Sequence, residues 1–520
     1  MSPFEKVLFL CWTASIISLY LFRRTSWKPL PPGPWSLPWI GNLQYLISHP
    51  NWLTYTDWYQ RYDSDIVHVN IAGHSFIILN TLEAATELLD RRSGIYSSRK
   101  DSNLGAALCC YSWKWSFASM PYGAEWKAQR NLSINMFNPN NPDQHEPREL
   151  KATRIFLLKL YEAPEDLSHL LHNLAGSTIL SVIYGFDVAA MQDSVHTDNA
   201  RRGAEGFIQA CVPGAFFVDY LPWLKYIPSC FPGSSFQGRA QVWKEYTEKL
   251  LHGPFDTMKN QIFEEGLESC FVSRCLGKLS GEHDAEWVTK RTAGSMYVAG
   301  TDTTVTSLRS FFLAMMQYPE CQKKAQQELD RVVGSNRLPD FSDRDSLPYI
   351  QAIVYETMRR YTFTFLVGLP HLASEEDVYN GYRIPKGSII IANAWAMMHD
   401  ERNFQDPYTF NPDRYIRPAD GQLNHDMLKP TAGFGFGRRI CPGRHMALSA
   451  TWIAIASTLS VFDISKSEAV DGNGQIIEPF TEYDNTTLQN QPNPYKCSIK
   501  LRSPECLHVM QTDVDFVEGK

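Results

Sequence analysis

The stretch Phe434-Gly435-Phe436-Gly437-Arg438-Arg439-Ile440-Cys441-Pro442-Gly443 decides how the rest of the chain is interpreted. Its glycines allow tight turns and close backbone approach, and residues 444–456 continue in an apolar pattern typical of a helix. Cys441 is therefore predicted to lie on a loop just before a helix N-terminus, where free N–H groups favour a thiolate. A thiolate suits the axial position of a haem iron, and Arg439 is placed to pair with a haem propionate.

Cys441 has two other possible interpretations, a buried cysteine without a ligand and a structural zinc ligand. Most cysteines are small buried apolar residues without a ligand. A structural zinc site needs paired Cys or His ligands at short spacing, and neither Cys109-Cys110 nor Cys270 and Cys275 supply such a pair near Cys441. The pattern Phe-x-x-Gly-x-Arg-x-Cys-x-Gly is rare by chance, and it resembles the haem-binding signature of the cytochrome P-450 superfamily at every fixed position. The thiolate, the helix dipole and Arg439 as a propionate partner favour the same ligand independently.

Length and composition limit the class of protein. The 520 residues are 44% hydrophobic and 13% aromatic, which indicates a large globular core in a single large fold or in two to three domains. The net charge of −7 comes without a basic stripe, which argues against binding nucleic acid. Eleven scattered cysteines, an odd number, indicate reduced thiols that face the cytosol.

The N-terminus predicts a membrane anchor followed by a stiff connection. Residues 7–22 are an almost uncharged apolar run, and Arg23, Arg24 and Lys28 follow it, which would keep the C-terminal side cytosolic. A cleaved signal peptide is the alternative. We expect an anchor at 1–28, a proline-rich hinge at 29–42 and a catalytic domain at 43–520. A proline-rich protein ligand is the other interpretation of the hinge.

A β-hairpin is predicted from Asp65 to Asn80, where apolar and polar residues alternate on both sides of Gly73-His74. Further on, Trp126 and Arg130 are four residues apart on a predicted helix and share one face. Such a pair is often only a packing motif. Near a haem, the indole N–H and the guanidinium would both donate to propionates.

A single long helix is predicted from Trp287 to Tyr318, with Ala299-Gly300-Thr301-Asp302-Thr303-Thr304 in its middle. The four residues 301–304 are β-branched or small polar residues and poor helix formers, and the threonine hydroxyls are expected to bond back to carbonyls four residues earlier. Gly300 would leave space for a ligand, and Asp302 with Thr303 would relay protons there. A solvated threonine-rich turn is the alternative, which the apolar flanks disfavour.

A buried ion network is predicted between residues 356 and 414. Glu356 and Arg359 share one face of a helix predicted from Tyr349 to Tyr361. On a protein surface such a pair contributes little. Arg414, which follows the turn Phe410-Asn411-Pro412, would reach Glu356 and complete the network.

Together these motifs resemble the cytochrome P-450 superfamily, in its microsomal form, over the whole chain. The resemblance implies a mainly α fold with a small β-rich region, and a monooxygenase that inserts one oxygen atom from dioxygen. It implies haem b as the cofactor, Cys441 as its metal ligand, and an NADPH–cytochrome reductase as the electron donor at the endoplasmic reticulum membrane. Tyr415 departs from the family pattern, where phenylalanine is usual.

The resemblance also assigns roles to individual residues. Trp126, Arg130, His371 and Arg439 would bind the haem propionates, and Asp302 and Thr303 would deliver protons during catalysis. Glu356, Arg359 and Arg414 would hold the structure on the side of the thiolate.

Residues 212–233 and 368–387 resemble fungal secondary-metabolite members of the superfamily, which implies a small, largely apolar substrate of the indole, terpenoid or polyketide class. A haem-thiolate isomerase or dehydratase without oxygen activation is a second hypothesis, and a non-catalytic binding protein is a third. Predicted pocket walls lie at 97–120, 216–224, 296–299, 363–367 and 483–488. Phe363 and Phe365 would stack on an aromatic substrate, and core packing is the alternative for both.

Overall fold

The computed structural model describes residues 28–37, 41–42, 44–45, 52–71, 73–99, 113–192, 194–210, 216, 218, 226–227, 235–265, 270–278, 284–361, 369–467 and 492–518. Residues 1–27 of the anchor predicted at 1–28 lie outside these ranges, as do the predicted pocket walls at 363–367 and 483–488. Within the ranges, no helix is both long enough and apolar enough to cross a membrane. The six cysteines described there are free thiols, in agreement with the prediction.

Most of the described chain is helical. The longer helices are α1 (Trp52–Tyr62), α2 (Ala124–Met136), α3 (Glu146–Glu162), α4 (Leu167–Tyr184), α5 (Val195–Ala210), α6 (Ser235–Glu265), α7 (Phe271–Lys278), α8 (Ala285–Gln317), α9 (Pro319–Val332), α10 (Pro348–Tyr361), α11 (Arg444–Val461) and α12 (Glu505–Glu518). Short helices lie at Leu82–Ala85, which continues as a π-turn to Arg91, and at Ser93–Tyr96 and Ala394–Met398.

The strands form three small sheets among the described residues. They are β1 (Ile66–Ile71), β2 (His74–Leu79), β3 (His371–Leu372), β4 (Asp377–Tyr379), β5 (Tyr382–Ile384), β6 (Ile389–Ala392), β7 (Phe462–Lys466) and β8 (Cys497–Leu501). The largest sheet has the order β1-β2-β6-β3. Its β1–β2 pair is antiparallel with Ile71 opposite His74, so the predicted hairpin is confirmed, and β6 joins β2 in parallel.

The 33-residue helix α8 organises the core. It packs against α4, α2 and α11, and its C-terminal half is buried with α3, α9, α10 and α11 in the largest apolar cluster. The long helix predicted from Trp287 to Tyr318 is therefore confirmed, to within two residues at its start. Because α8 passes through the middle of the fold, any group on its central turns is held by helices on several sides.

Candidate functional site

The loop that carries Cys441 is held in place by backbone geometry. Gly437 has a φ of +53°, and a Cβ there would lie 2.1 Å from the carbonyl oxygen of Leu89, so only glycine fits. The Cys441 N–H donates to the Phe434 carbonyl at 2.8 Å. Helix α11 begins three residues after the cysteine, as the sequence predicts.

Opposing effects act on the pKa of the Cys441 thiol. Burial raises the pKa of the Cys441 thiol, while the Gly443 N–H, Arg130 and Arg444 act in the opposite direction. The predicted stabilisation of a thiolate by the helix N-terminus is therefore present, but burial outweighs it in the chain alone. A coordinating metal ion deprotonates such a thiol outright. The Gly443 N–H and the two arginines around Cys441 therefore suit a metal-bound thiolate.

One cavity of about 330 Å³ brings the predicted site residues together. Its lining includes all seven of them: Trp126, Arg130, Asp302, Thr303, His371, Arg439 and Cys441. The cysteine comes from the loop before α11, and the acid and hydroxyl come from the middle of α8. Cys441 and the Asp302–Thr303 pair thus face one shared space.

Two buried hydrogen-bond donors without partners lie in the wall formed by α2. The side chains of Trp126 and Arg130 are 4% and 6% exposed, and Trp126 Nε1 and Arg130 Nε have no hydrogen-bond partner in the part of the chain that the structure describes. Arg130 also donates to the Ile440 carbonyl. Buried donors of this kind are costly unless a ligand accepts from them, and carboxylates such as the haem propionates are suitable acceptors.

Arg439 is positioned by backbone carbonyls. Its guanidinium donates to Ser97 O at 2.7 Å, Phe117 O at 2.9 Å and Met120 O at 2.8 Å, and it lies over the Trp126 ring at 4.4 Å. Burial lowers the pKa of Arg439 to about 9, with Arg130 adding to the effect. An acidic ligand beside both arginines would relieve this unfavourable burial of like charges.

His371 is fixed in one tautomer. Its Nδ1 is 2.8 Å from the Tyr96 carbonyl oxygen, so Nδ1 carries a proton and donates. Burial lowers the pKa of His371 far below its usual value, and Arg99 and Arg439 lower it further. The neutral ring therefore has an accepting Nε2. Binding a propionate through Nε2, as predicted, requires a second proton, which a nearby carboxylate favours by raising the histidine pKa.

Arg99 lies within the predicted pocket wall at 97–120, but the sequence did not single it out as a site residue. This arginine is 9% exposed, lines the cavity, and donates to the carbonyls of Leu369 and, at 2.8 Å, Pro370. Burial and Arg439 both lower its pKa. Its signal in the sequence is weak, a basic residue at the edge of an aromatic-rich segment without periodicity. Arg99, Arg130 and Arg439 together give this side of the cavity an excess of positive charge.

The carboxyl group of Asp302 on α8 is buried, and one of its oxygen atoms has no hydrogen-bond partner. Asp302 is 7% exposed, and its Oδ1 accepts no hydrogen bond from any residue that the structure describes. Burial raises the pKa of Asp302 to about 7, and Glu205 raises it further while Arg201 lowers it. A carboxyl group that titrates near neutral pH is suited to passing protons.

The hydroxyls of the same turns bond back along the helix. Thr303 donates to the Ala299 carbonyl at 2.9 Å and Thr304 to Gly300 at 3.2 Å, as predicted. Gly300 lines the cavity, but a Cβ there would lie 2.9 Å from the side chain of Ile179. Its missing side chain is thus explained by the close packing of α8 on α4 as well as by the cavity.

The predicted ion network is confirmed. Arg359 binds both carboxylate oxygens of Glu356 at 2.8 Å, and Arg414 Nε donates to the same carboxylate at 3.2 Å. Glu356 and Arg359 are fully buried, and Arg359 also donates to the carbonyls of Met398 and Pro407. None of the three side chains lines the cavity, so their role is structural.

The predicted pocket walls are partly present. Residues of 97–120 and of 296–299 line the cavity. In the predicted wall at 216–224, the structure describes residues 216 and 218, and Phe216 packs edge-on against Trp243 at 5.9 Å without lining the cavity.

Comparison with known proteins agrees with this geometry. The family profile Cytochrome P450 matches residues 31–491. Cytochrome P450 monooxygenase 98 of Postia placenta is 41% identical over 94% of this chain and 94% of its own length. Cytochrome P450 monooxygenase ple1 of Rhodocybe pseudopiperita is 41% identical over 96% and 95%. Tryptamine 4-monooxygenase of Psilocybe cyanescens is 36% identical over 93% and 95%.

Proposed function

Because the chain belongs to the cytochrome P450 family, and is therefore a haem-dependent monooxygenase, we propose that it oxidises a small, largely apolar secondary metabolite. The similarity to fungal monooxygenases, one of them named for tryptamine, supports an indole substrate. The resemblance of residues 212–233 and 368–387 to secondary-metabolite members of the superfamily extends the proposed range to terpenoids and polyketides. Electrons would come from NADPH through a flavoprotein reductase. The apolar run at 7–22 followed by basic residues supports an anchor in the endoplasmic reticulum membrane, with the catalytic domain in the cytosol.

The observation that carries the proposal is the shared cavity of Cys441, the cationic wall and the Asp302–Thr303 pair. Cys441 would ligate the iron, and Trp126, Arg130 and Arg439 would bind the haem propionates. Arg99 and His371 would complete that wall. The bound haem, with its thiolate ligand, supplies the chemistry that activates dioxygen.

The chain's own contribution is to hold groups and move protons. Asp302 would take up protons and pass them into the cavity, because burial raises the pKa of its carboxyl group to about 7. Thr303 Oγ1 donates to Ala299, so its lone pairs remain able to accept a proton donor and hold it near the acid. The apolar lining from α4 and α8 excludes bulk water.

The test is the carbon monoxide spectrum of the reduced holoprotein. We expect the red-shifted Soret band of thiolate-ligated haem in the wild-type protein and its loss in Cys441→Ala. Cys275→Ala is the matched control, since this buried thiol on α7 does not line the cavity. A Cys441→Ala protein that keeps the band would refute the assignment. Substrate-dependent consumption of NADPH and oxygen would separate oxygenation from an isomerase or dehydratase reaction.

A further inference from the structure

The cavity has an aromatic wall that the haem site does not explain. It consists of Trp113 and Phe117, from the turn before α2, and Phe207 on α5, and all three line the cavity. Ala204 and Ile208 of α5 and Met296 of α8 continue this surface. Among these six side chains, the one hydrogen-bond donor is the indole N–H of Trp113.

Trp113 is a buried donor without an acceptor. Its side chain is 2% exposed, and Nε1 has no hydrogen-bond partner among the residues in the described ranges. Leaving a buried N–H unpaired costs free energy, and native structures rarely do so without a reason. Four other side chains that line the cavity keep a partnerless atom: Trp126, Arg130, Glu149 and Asp302. Those of Trp126, Arg130 and Asp302 have roles at the haem or in proton transfer. The carboxylate of Glu149 is already bound through its other oxygen by His145 and Ser449. The single N–H of Trp113 has no such role or partner.

Two neighbouring hydroxyls on α8 and α4 do not compete for this role, whereas the hydroxyl of Ser116 has to be tested. Ser295 on α8 donates to the Arg291 carbonyl at 2.8 Å, and Thr178 on α4 donates to the Leu174 carbonyl at 2.6 Å. Their protons are thus committed within their own helices. Ser116 also lines the cavity, and its hydroxyl accepts weakly from the Ala118 N–H at 3.4 Å.

The indole of Trp113 is also held rigidly. It stacks on Trp115 with ring centroids 5.2 Å apart and meets Phe207 edge-on at 5.3 Å. Gly203 on α5 faces the same ring, where a Cβ would lie 4.0 Å from it. A donor fixed in this way loses little conformational entropy when it binds an acceptor.

We propose that Trp113 is a specificity-determining residue that donates its indole N–H to an oxygen atom of the substrate. The substrate class is a neutral, largely apolar ring skeleton that already carries a carbonyl or ether oxygen. This inference rests on the proposed function and narrows it to oxygenated terpenoids and polyketides. A hydrocarbon would leave the N–H unpaired, and a protonated amine has no lone pair to accept from it.

The experiment measures binding to the holoprotein by the Soret shift, with probes that differ only in the group concerned. Nootkatone and valencene are a sesquiterpene ketone and its hydrocarbon, and anthrone and 9,10-dihydroanthracene are an aromatic ketone and its hydrocarbon. Tryptamine and 3-ethylindole test an amine. Each pair is titrated against the wild-type protein, Trp113→Phe and Trp115→Phe. The last variant is the matched control, since Trp115 stacks on Trp113 but does not line the cavity.

In the wild-type protein, we expect each ketone to bind about 3–10-fold more tightly than its hydrocarbon, as one neutral hydrogen bond contributes. Trp113→Phe should reduce this ratio to near 1, and Trp115→Phe should preserve it. Ser116→Ala should also preserve the ratio, which excludes the nearby hydroxyl as the donor. Tryptamine should show no dependence on Trp113 beyond that of 3-ethylindole.

Three results would overturn the proposal. The first is equal binding of ketone and hydrocarbon by the wild-type protein. The second is a ketone preference that survives Trp113→Phe. The third is that neither nootkatone nor anthrone produces a Soret shift in the wild-type protein. The carbon monoxide band is recorded for each variant. A variant that keeps the band but loses the ketone preference bears on Trp113, whereas loss of the band in the wild-type protein bears on the haem-thiolate assignment itself.

Discussion

Two buried polar regions of this protein differ in whether the chain satisfies its own hydrogen bonds. In the closed network of Glu356, Arg359 and Arg414, the carboxylate accepts from both arginines and from the Asn411 N–H. In the open wall of Trp126, Arg130 and Asp302, each side chain keeps a buried polar atom without a partner in the described structure. Buried polar groups are normally paired, so the closed network marks structure. Partnerless atoms also occur away from the cavity, as at Trp452 Nε1, but the three side chains of the open wall all line one cavity, and this combination marks a ligand site.

Glu356→Gln is the largest test of the closed network. The change keeps the shape but removes the charge that compensates two buried guanidinium groups, so we expect a loss of about 3–5 kcal/mol of stability. Haem retention and the thermal unfolding midpoint of the holoprotein measure it. Glu248→Gln is the control, because Glu248 pairs with Lys244 at 3.7 Å on the surface, where such pairs contribute under about 1 kcal/mol. Wild-type stability in Glu356→Gln would contradict the structural role.

Asp302→Asn tests the open wall without altering its shape. A lost proton donor should lower product formation about 100-fold, while oxygen and NADPH consumption continue without product. In the wild-type protein, the rate of product formation plotted against pH should show an inflection near pH 7, since burial raises the pKa of Asp302 to about 7. The inflection should vanish in Asp302→Asn. Glu205→Gln removes a neighbouring negative charge, so it should move the inflection to lower pH.

The same pKa predicts how stability depends on pH. Unfolded aspartate releases its proton near pH 4, whereas folded Asp302 keeps it until about pH 7. The folded state binds more protons between these values, so the stabilisation is complete below pH 4 and is lost as pH rises through 7. Asp302→Asn should therefore become more stable relative to wild type across this window, by up to about 4 kcal/mol. Equal pH profiles for the two proteins would contradict the buried, protonated carboxyl group.

Gly300→Ala examines the helix contact behind the open wall. The new Cβ would lie 2.9 Å from Ile179, and such overpacking should cost about 1–3 kcal/mol. Gly238→Ala on α6, where a Cβ meets nothing within 4 Å, should stabilise by about 0.4–1 kcal/mol. If the contact with Ile179 is the cause, Ile179→Ala combined with Gly300→Ala should destabilise less than the sum of the two changes. Thermal unfolding of the holoproteins measures all four.

Local patterns in the sequence predicted the parts of the fold that depend on local physics. The hairpin at Gly73, the long helix α8 and the loop of Cys441 follow from periodicity and from glycines. The role of Arg99 at the site could not be predicted, because its hydrogen-bond partners are the carbonyls of Leu369 and Pro370, some 270 residues away. The tautomer of His371 likewise depends on the Tyr96 carbonyl. Helix α12 was not predicted either, and it is held by the pairing of its Asp513 with the buried Arg154 of α3.

Tyr415 is an exception beside the closed network, and the change Tyr415→Phe should sharpen the comparison. The side chain is 1% exposed, and its hydroxyl has no hydrogen-bond partner in the described part of the chain. It does not line the cavity, so a haem or substrate bound there would not satisfy it. Removing this hydroxyl should therefore stabilise the protein, by about 1 kcal/mol.

Tyr355→Phe is the control, because its ring lies 5.5 Å from that of Tyr415 and its side chain is only partly buried. We expect it to change stability by less than about 0.5 kcal/mol. A loss of stability in Tyr415→Phe would mean that an ordered water satisfies the hydroxyl. The closed network would then extend one residue further, to Tyr415, and a partnerless atom outside the cavity would no longer be evidence of an uncompensated cost.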